Sequence, residues 1–174
     1  MQYHSDEPIP PETRVGHVHF IVTDLERSVA FYRDVLGFHI TEYMPDEPGG
    51  RRLAFLSGNE YHTHVALMEM KGVKAPPPGS IGLYHVGICY PSRRAVAQAL
   101  KCVLDHGHAI EHCHDYGVGE AVILRDPDGI PLELYYDRSA NAWPRVEGQL
   151  RMFNTKVDPA DLLAELEYEP GHPA

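Results

Sequence analysis

Histidine is over-represented and patterned. The chain holds twelve in 174 residues, several as alternate-residue pairs: His17/His19, His62/His64 and His112/His114. Imidazole is the commonest metal ligand and the side chain that titrates nearest neutrality. Alternate residues of a strand share a face, so each pair would present two rings to one side. Glu133 joins them, set in the otherwise apolar run IPLELYY, where a carboxylate turned toward a core needs a metal or a base as partner. The spacings match: 47 positions separate His17 from His64, and 48 separate His85 from Glu133. Brought together by symmetry, three imidazoles and one carboxylate make a site for divalent Fe, Ni, Zn or Mn. With two His and the Glu as ligands, coordination positions stay open for substrate; with His64 as a fourth, the site is filled and proton chemistry is favoured over O2 activation.

The elements that must position these residues repeat. HVHF at 17–20 and HVGI at 85–88 stand 68 positions apart. Each apolar run precedes an amphipathic helix. In the first, Asp24 is the cap, Leu25, Val29, Tyr32 and Leu36 recur near helical spacing, and Gly37 ends it. In the second, Ser92 is the cap, Val96, Leu100 and Val103 form the face, and Gly107 ends it. Three strand-like runs follow each helix, at 38–44, 51–57 and 62–70, then 108–114, 119–125 and 131–137. PDEPGG, SGNE and DPDG separate them as turns. The reading is α+β: two tandem βαβββ modules forming a cupped mixed β-sheet cleft, with a C-terminal tail helix over DPADLLAEL. The expected boundaries are an N-terminal tail 1–13, module 14–72, a Pro-rich linker 73–82, module 83–138 and a C-terminal extension 139–174. DPDG reads as a plain turn, Arg93 and Arg94 as a solvated helix face, and Cys89, Cys102 and Cys113 as small core residues. One of Tyr135 and Tyr136 lines the cleft. Trp143 and Phe153 cover its mouth or pack on a neighbouring subunit.

Composition narrows the class. Lys plus Arg is 15 against 25 Asp plus Glu, a net charge of −10, which argues against nucleic acid or an anionic membrane as partner. No apolar run approaches the length of a membrane span. The opening MQYHSDEPIPPETR has neither the basic nor the apolar region of a signal peptide, and an odd cysteine count without paired-motif spacing speaks against a disulfide framework. The expectation is a soluble cytoplasmic protein, a homodimer on general frequency.

HVHFIVTDLERSVAFYRDVLGF and ILRDPDGIPLELYYDR resemble the opening of the first module and the ending of the second in the vicinal oxygen chelate superfamily, which includes glyoxalase I, methylmalonyl-CoA epimerase, bleomycin-resistance proteins and extradiol dioxygenases. The likeness covers about residues 15–138. The tail YYDRSANAWPRVEGQLRMFNTKVDPADLLAEL resembles catechol 2,3-dioxygenase-like members. The resemblance implies metal ligands at His17, His85 and Glu133. In the last strand of the first module, where glyoxalases place a ligand and extradiol dioxygenases a proton-moving histidine, this chain has His64, with His62 as the alternative. His19 falls where dioxygenases contact substrate or oxygen. Two departures stand out. The extradiol signature's tyrosine position is Ile123, and its histidine position is Tyr116, or His114 with a longer loop. The implied function is an Fe(II)-dependent ring-cleaving dioxygenase (Mn, Ni or Zn as other metals) acting on a catecholic small molecule with O2. The rivals are a glyoxalase- or epimerase-like isomerase or lyase, and a ligand-sequestering resistance protein.

Overall fold

The computed structural model describes residues 9–46, 49–74, 76–77 and 80–167. In β1 (Val18–Val22), Phe20 and Val22 are buried while His19 and Ile21 are exposed, the alternation of a half-buried strand. Asp24 then caps α1 (Leu25–Ala30), its carboxylate accepting from the Arg27 N–H at 2.9 Å. The periodicity predicts a helix running on to Leu36. The chain instead opens into a π-helical turn, Phe31–Val35, a wider turn in which Phe31, Tyr32 and Val35, with Leu36 after it, are buried. Gly37, at φ 81°, makes the left-handed exit. β2 (His39–Met44), β3 (Arg52–Ser57) and β4 (Val65–Glu69) complete a sheet in the order β1-β4-β3-β2, with β1 and β4 parallel.

The second module repeats this plan with β5 (Val86–Cys89), α2 (Arg93–Asp105), β6 (Ile110–Asp115), β7 (Gly119–Arg125) and β8 (Pro131–Asp137). β5 and β8 are parallel. Beyond it come a small hairpin of β9 (Arg145–Val146) and β10 (Gln149–Leu150), then β11 (Thr155–Val157) and the tail helix α3 (Pro159–Leu163), capped by Asp158. β11 pairs with β6, giving a five-strand order β11-β6-β7-β8-β5. Three residues, TKV, carry too little pattern to announce this strand in the sequence. The α+β class, the two βαβββ units and the tail helix stand as read. The N-terminal tail lies largely outside the described residues, and the linker is described only in part.

Among the described residues the two sheets share no ladder. The modules meet instead through α1 and its π turn, and one apolar core runs through both. The DPDG turn is the clasp. Asp126 accepts the N–H groups of Asp128 and Ile130 and the buried Tyr32 hydroxyl. Asp128 accepts from the Thr23 N–H, from Arg27 and from Ser28. Arg93 and Arg94 are not a solvated face either. Arg93 binds Glu120 and Glu165, and Arg94 donates to the Glu165 carbonyl, because the tail helix packs over the start of α2.

Candidate metal centre

Each sheet buries one face against its helices and leaves the other open. On the open face of the second sheet, His85 Nε2 lies 3.2 Å from Glu133 Oε2. Gly87 stands directly opposite Glu133. A Cβ there would lie 3.6 Å from the carboxylate and 3.1 Å from the Tyr135 ring, so glycine keeps the approach open. The Tyr116 phenol is pushed up by burial first, then by the charge of Glu133 and a hydrogen bond to it. Tyr135, beside Cys89, is pushed up to about 12, chiefly by burial. Ile123 lies opposite Glu133 on the other side and is buried, so hydrocarbon stands where the family signature has a phenol. His112 and His114 share this face. Cys89 is exposed rather than in the core; Cys113 alone of the three cysteines is buried.

On the first sheet, His17 and His19 are exposed, and the His19 ring centroid is 6.5 Å from that of Phe55. His17, His62, Glu42 and Phe55 help line an open cavity of about 370 Å³. The His62 ring centroid lies 4.3 Å from that of Tyr61 with the planes tilted by 38°, and Arg14 lies 4.7 Å above the Tyr61 ring. Neither His62 nor His64 is inside a strand: β4 begins at Val65, and both sit in its lead-in. His64 is nonetheless tightly held. Its Nδ1 accepts the Gly58 N–H at 3.2 Å and lies 2.8 Å from the Ser57 hydroxyl. In the neutral ring the hydrogen therefore sits on Nε2. Burial lowers the His64 pKa, helped by the positive charges of Arg14, His39 and His62, which keeps that ring neutral at neutral pH.

The ladders also revise the correspondence between modules. Val18 lies opposite Val65, and Val86 opposite Leu132. Matching β1 to β5 by the 68-residue repeat therefore makes Ala66, not His64, the counterpart of Glu133. The similar sequence spacings of 47 and 48 mislead: by the ladders the counterpart of Glu133, 48 positions after His85, lies 49 positions after His17, at Ala66. Nor does one chain gather all the proposed ligands. Among the described residues, no three His, Cys, Asp or Glu side chains come close enough to hold a metal ion. His85 and Glu133 do fit such a group. Their 3.2 Å separation lets both reach one ion at about 2.0–2.2 Å. His17 lies on the other sheet, at the start of β1. Ser57, Gly58 and Tyr61, which frame the His64 side, were not visible as site residues in the sequence; only the turn composition SGNEY marks the place.

Comparison with known proteins agrees with this architecture. Residues 14–134 match the model of the glyoxalase/bleomycin resistance protein/dioxygenase superfamily. The chain belongs to this superfamily. Within the glyoxalase/dioxygenase superfamily, it is 36% identical over 159 residues to a catechol-2,3-dioxygenase of Bacillus subtilis, covering 90% of this chain and 53% of that protein. It is 31% identical over 106 residues to the mitochondrial methylmalonyl-CoA epimerase of Mus musculus, covering 58% of each. The chain thus spans little more than half the length of these relatives. A glyoxylase/bleomycin resistance protein/dioxygenase domain from Frankia sp. EAN1pec has the same fold, with a TM-score of 0.62 and 22% identity over 72% of this chain and 98% of that one. No helix among the described residues is long and apolar enough to cross a membrane.

Proposed function

We propose that this protein is an extradiol-type ring-cleaving dioxygenase that acts on a catecholic substrate with O2, using His17, His85 and Glu133 as metal ligands and His64 for proton transfer. The observation that carries the reading is Ala66. The position matching Glu133 in the first module has no side chain able to ligate, so the donor set is two histidines and one carboxylate, which leaves open positions. Fe(II), with Mn, Ni or Zn as alternatives, would supply there the redox chemistry and the sites where two adjacent phenolic oxygens chelate.

The chain's own residues account for the rest. The Nδ1 lone pair of His64 is taken by the Gly58 N–H. A metal-bound imidazole normally donates its second ring nitrogen, so His64, with Nδ1 accepting and the hydrogen on Nε2, is better suited to direct that N–H at a reacting oxygen than to ligate. Ile123 and the Tyr135 ring border the Glu133 carboxylate, while His19 projects from β1 of the first sheet. Tyr116 fixes one oxygen of Glu133 by hydrogen bonding. Because His17 stands apart from His85 and Glu133, the set is completed in a homodimer: His17 of one copy meets His85 and Glu133 of the other. β1 and β5 are both edge strands, open on one side, as an exchanged pairing requires.

The test is anaerobic loading with Fe(II), then catechol and air, with oxygen uptake and the coloured ring-opened product followed together. Uptake matched by product, lost in His64→Ala while iron stays bound, is expected. No uptake with any catechol, and a firmly held Ni or Zn instead, overturns the assignment in favour of isomerase or lyase chemistry. Site sharing is tested by mixing the inactive variants His17→Ala and Glu133→Ala. Exchange between dimers restores about a quarter of wild-type activity if each site draws on both copies, and none if each chain builds its own.

A further inference from the structure

Cysteine is among the most buried residue types, yet Cys89 is exposed, and it stands on the face that carries the candidate ligands. β5 and β8 run parallel, with Gly87 opposite Glu133 and Cys89 opposite Tyr135. Side chains alternate along a strand. Glu133, Gly87, Tyr135 and Cys89 therefore share one side of the sheet, while Leu132, Leu134 and Tyr136 are buried on the other. Gly87 lets the Tyr135 ring lean across β5: a Cβ there would lie 3.1 Å from Tyr135 Cε1 and 3.6 Å from Glu133 Oε2. The leaning ring borders the carboxylate, and its hydroxyl is hydrogen-bonded to the Cys89 thiol. That thiol points its own hydrogen at the Tyr90 carbonyl, 3.8 Å away, which leaves a sulfur lone pair to accept from the phenol.

This pairing sets Cys89 apart from the other two cysteines. Cys113 is buried, and Cys102 sits on α2 with its thiol directed at the Asp34 carbonyl. Neighbouring strands are only about 4.8 Å apart, so cross-strand partners on one face are in contact. An exposed thiol is open to oxidation, and an oxidised phenol reacts at the ring carbons that flank its hydroxyl. A sulfur bonded to that hydroxyl is adjacent to those carbons. The pair also borders Glu133, whose carboxylate lies 3.2 Å from His85 Nε2 and fits a metal ion with it.

We infer that Cys89 and Tyr135 become joined by a thioether, from Sγ to the ring carbon beside the hydroxyl, when the iron-loaded protein meets O2. The S–H bond and one ring C–H bond break and the S–C bond forms. The two electrons and two protons released reduce O2 to hydrogen peroxide. The link holds the Tyr135 ring against β5 and so fixes one wall of the carboxylate site. It rests on the reading of this site as an iron centre that meets O2, and its test separates the link from ring cleavage. The full chain, expressed in iron-depleted medium, is loaded anaerobically with Fe(II) and divided into aerated and anaerobic samples for intact and peptide mass spectrometry. Oxygen uptake with catechol is followed on the same preparation. Aeration should lower the intact mass by two hydrogens, and trypsin should release residues 75–93 and 126–138 as one linked peptide. The anaerobic sample should keep its full mass. The loss should vanish in Cys89→Ser and in Tyr135→Phe and persist in Cys102→Ser. An unchanged mass, oxygen added at Cys89 with Tyr135 unmodified, or a loss that survives Cys89→Ser overturns the link, and catechol-dependent uptake in those samples leaves ring cleavage standing. A link formed without catechol-dependent uptake supports the inference and overturns ring cleavage; the absence of both overturns both.

Discussion

The two modules share one plan and divide the chemistry between them. In the second, a carboxylate at 133 faces a histidine across 3.2 Å, with glycine opposite and phenols around it. In the first, the matching position is Ala66, and the nearby His64 has Nδ1 occupied by its own turn. On the proposed reading, the second module would hold the cation, and the first would contribute one imidazole and manage protons. The sheets differ as well: the first stops at four strands, while the second gains a fifth from the tail. A duplicated fold lets ligation and proton transfer be tuned separately, because each module's open face is set by its own turns and edge strands.

Substitutions can break or sharpen this division. The largest effect is expected from Glu133→Ala, which should weaken metal binding by more than the roughly 10–100-fold typical of an outer-shell partner and abolish turnover, as metal analysis and oxygen uptake will show. His64→Ala should retain metal but lose about 10²–10⁴ in turnover; loss of metal would instead make His64 a ligand and erase the contrast. Conversely, Ala66→Glu supplies the first module with the carboxylate it lacks, so metal should be held more tightly and oxygen uptake should fall. The pH profile of kcat/KM carries the next effect. Burial depresses the His64 pKa, so its neutral form survives to lower pH and the acid limb should lie below the ordinary histidine value of about 6.5. The same depression has a stability sign. Below about 6.5 the unfolded chain takes up this proton more readily than the folded one, so its contribution to stability falls as pH drops.

Smaller effects test what holds the modules in place. Asp128→Ala removes the acceptor of Thr23, Arg27 and Ser28 across the module boundary and should cost about 1–3 kcal/mol in thermal or denaturant unfolding. In the second module, the Arg138 guanidinium holds the Asp115 carboxyl below the usual carboxylate range. A carboxylate so depressed stabilises the fold above its unfolded pKa of about 3.9, and that contribution is lost as pH falls through the lower folded value. Arg138→Met should flatten this acid limb of a stability–pH curve.

The repeat was fully legible. Cap residues Asp24 and Ser92, the stop glycines Gly37 and Gly107, and the alternation in the strands are local signals, and each element formed about where they point. The exception is the first helix. Its apolar residues Phe31, Tyr32, Val35 and Leu36 fit an ordinary α-helical stripe, so the pattern gives no sign that the backbone opens into a π turn there.

By itself, the sequence determined the fold class and the tandem modules, and it singled out the residue types of the proposed metal centre: His17, His85 and Glu133, two imidazoles and a carboxylate on or beside apolar strands. Tertiary structure decided the rest. It set the ladder register that matches Glu133 to Ala66, and the turn that occupies His64 Nδ1. It also separated His17 from its partners and brought Cys89 beside Tyr135. The reason is physical: strand and helix periodicity is encoded by near neighbours, whereas register, ring orientation and the pairing of a three-residue edge strand depend on contacts among residues distant in the chain.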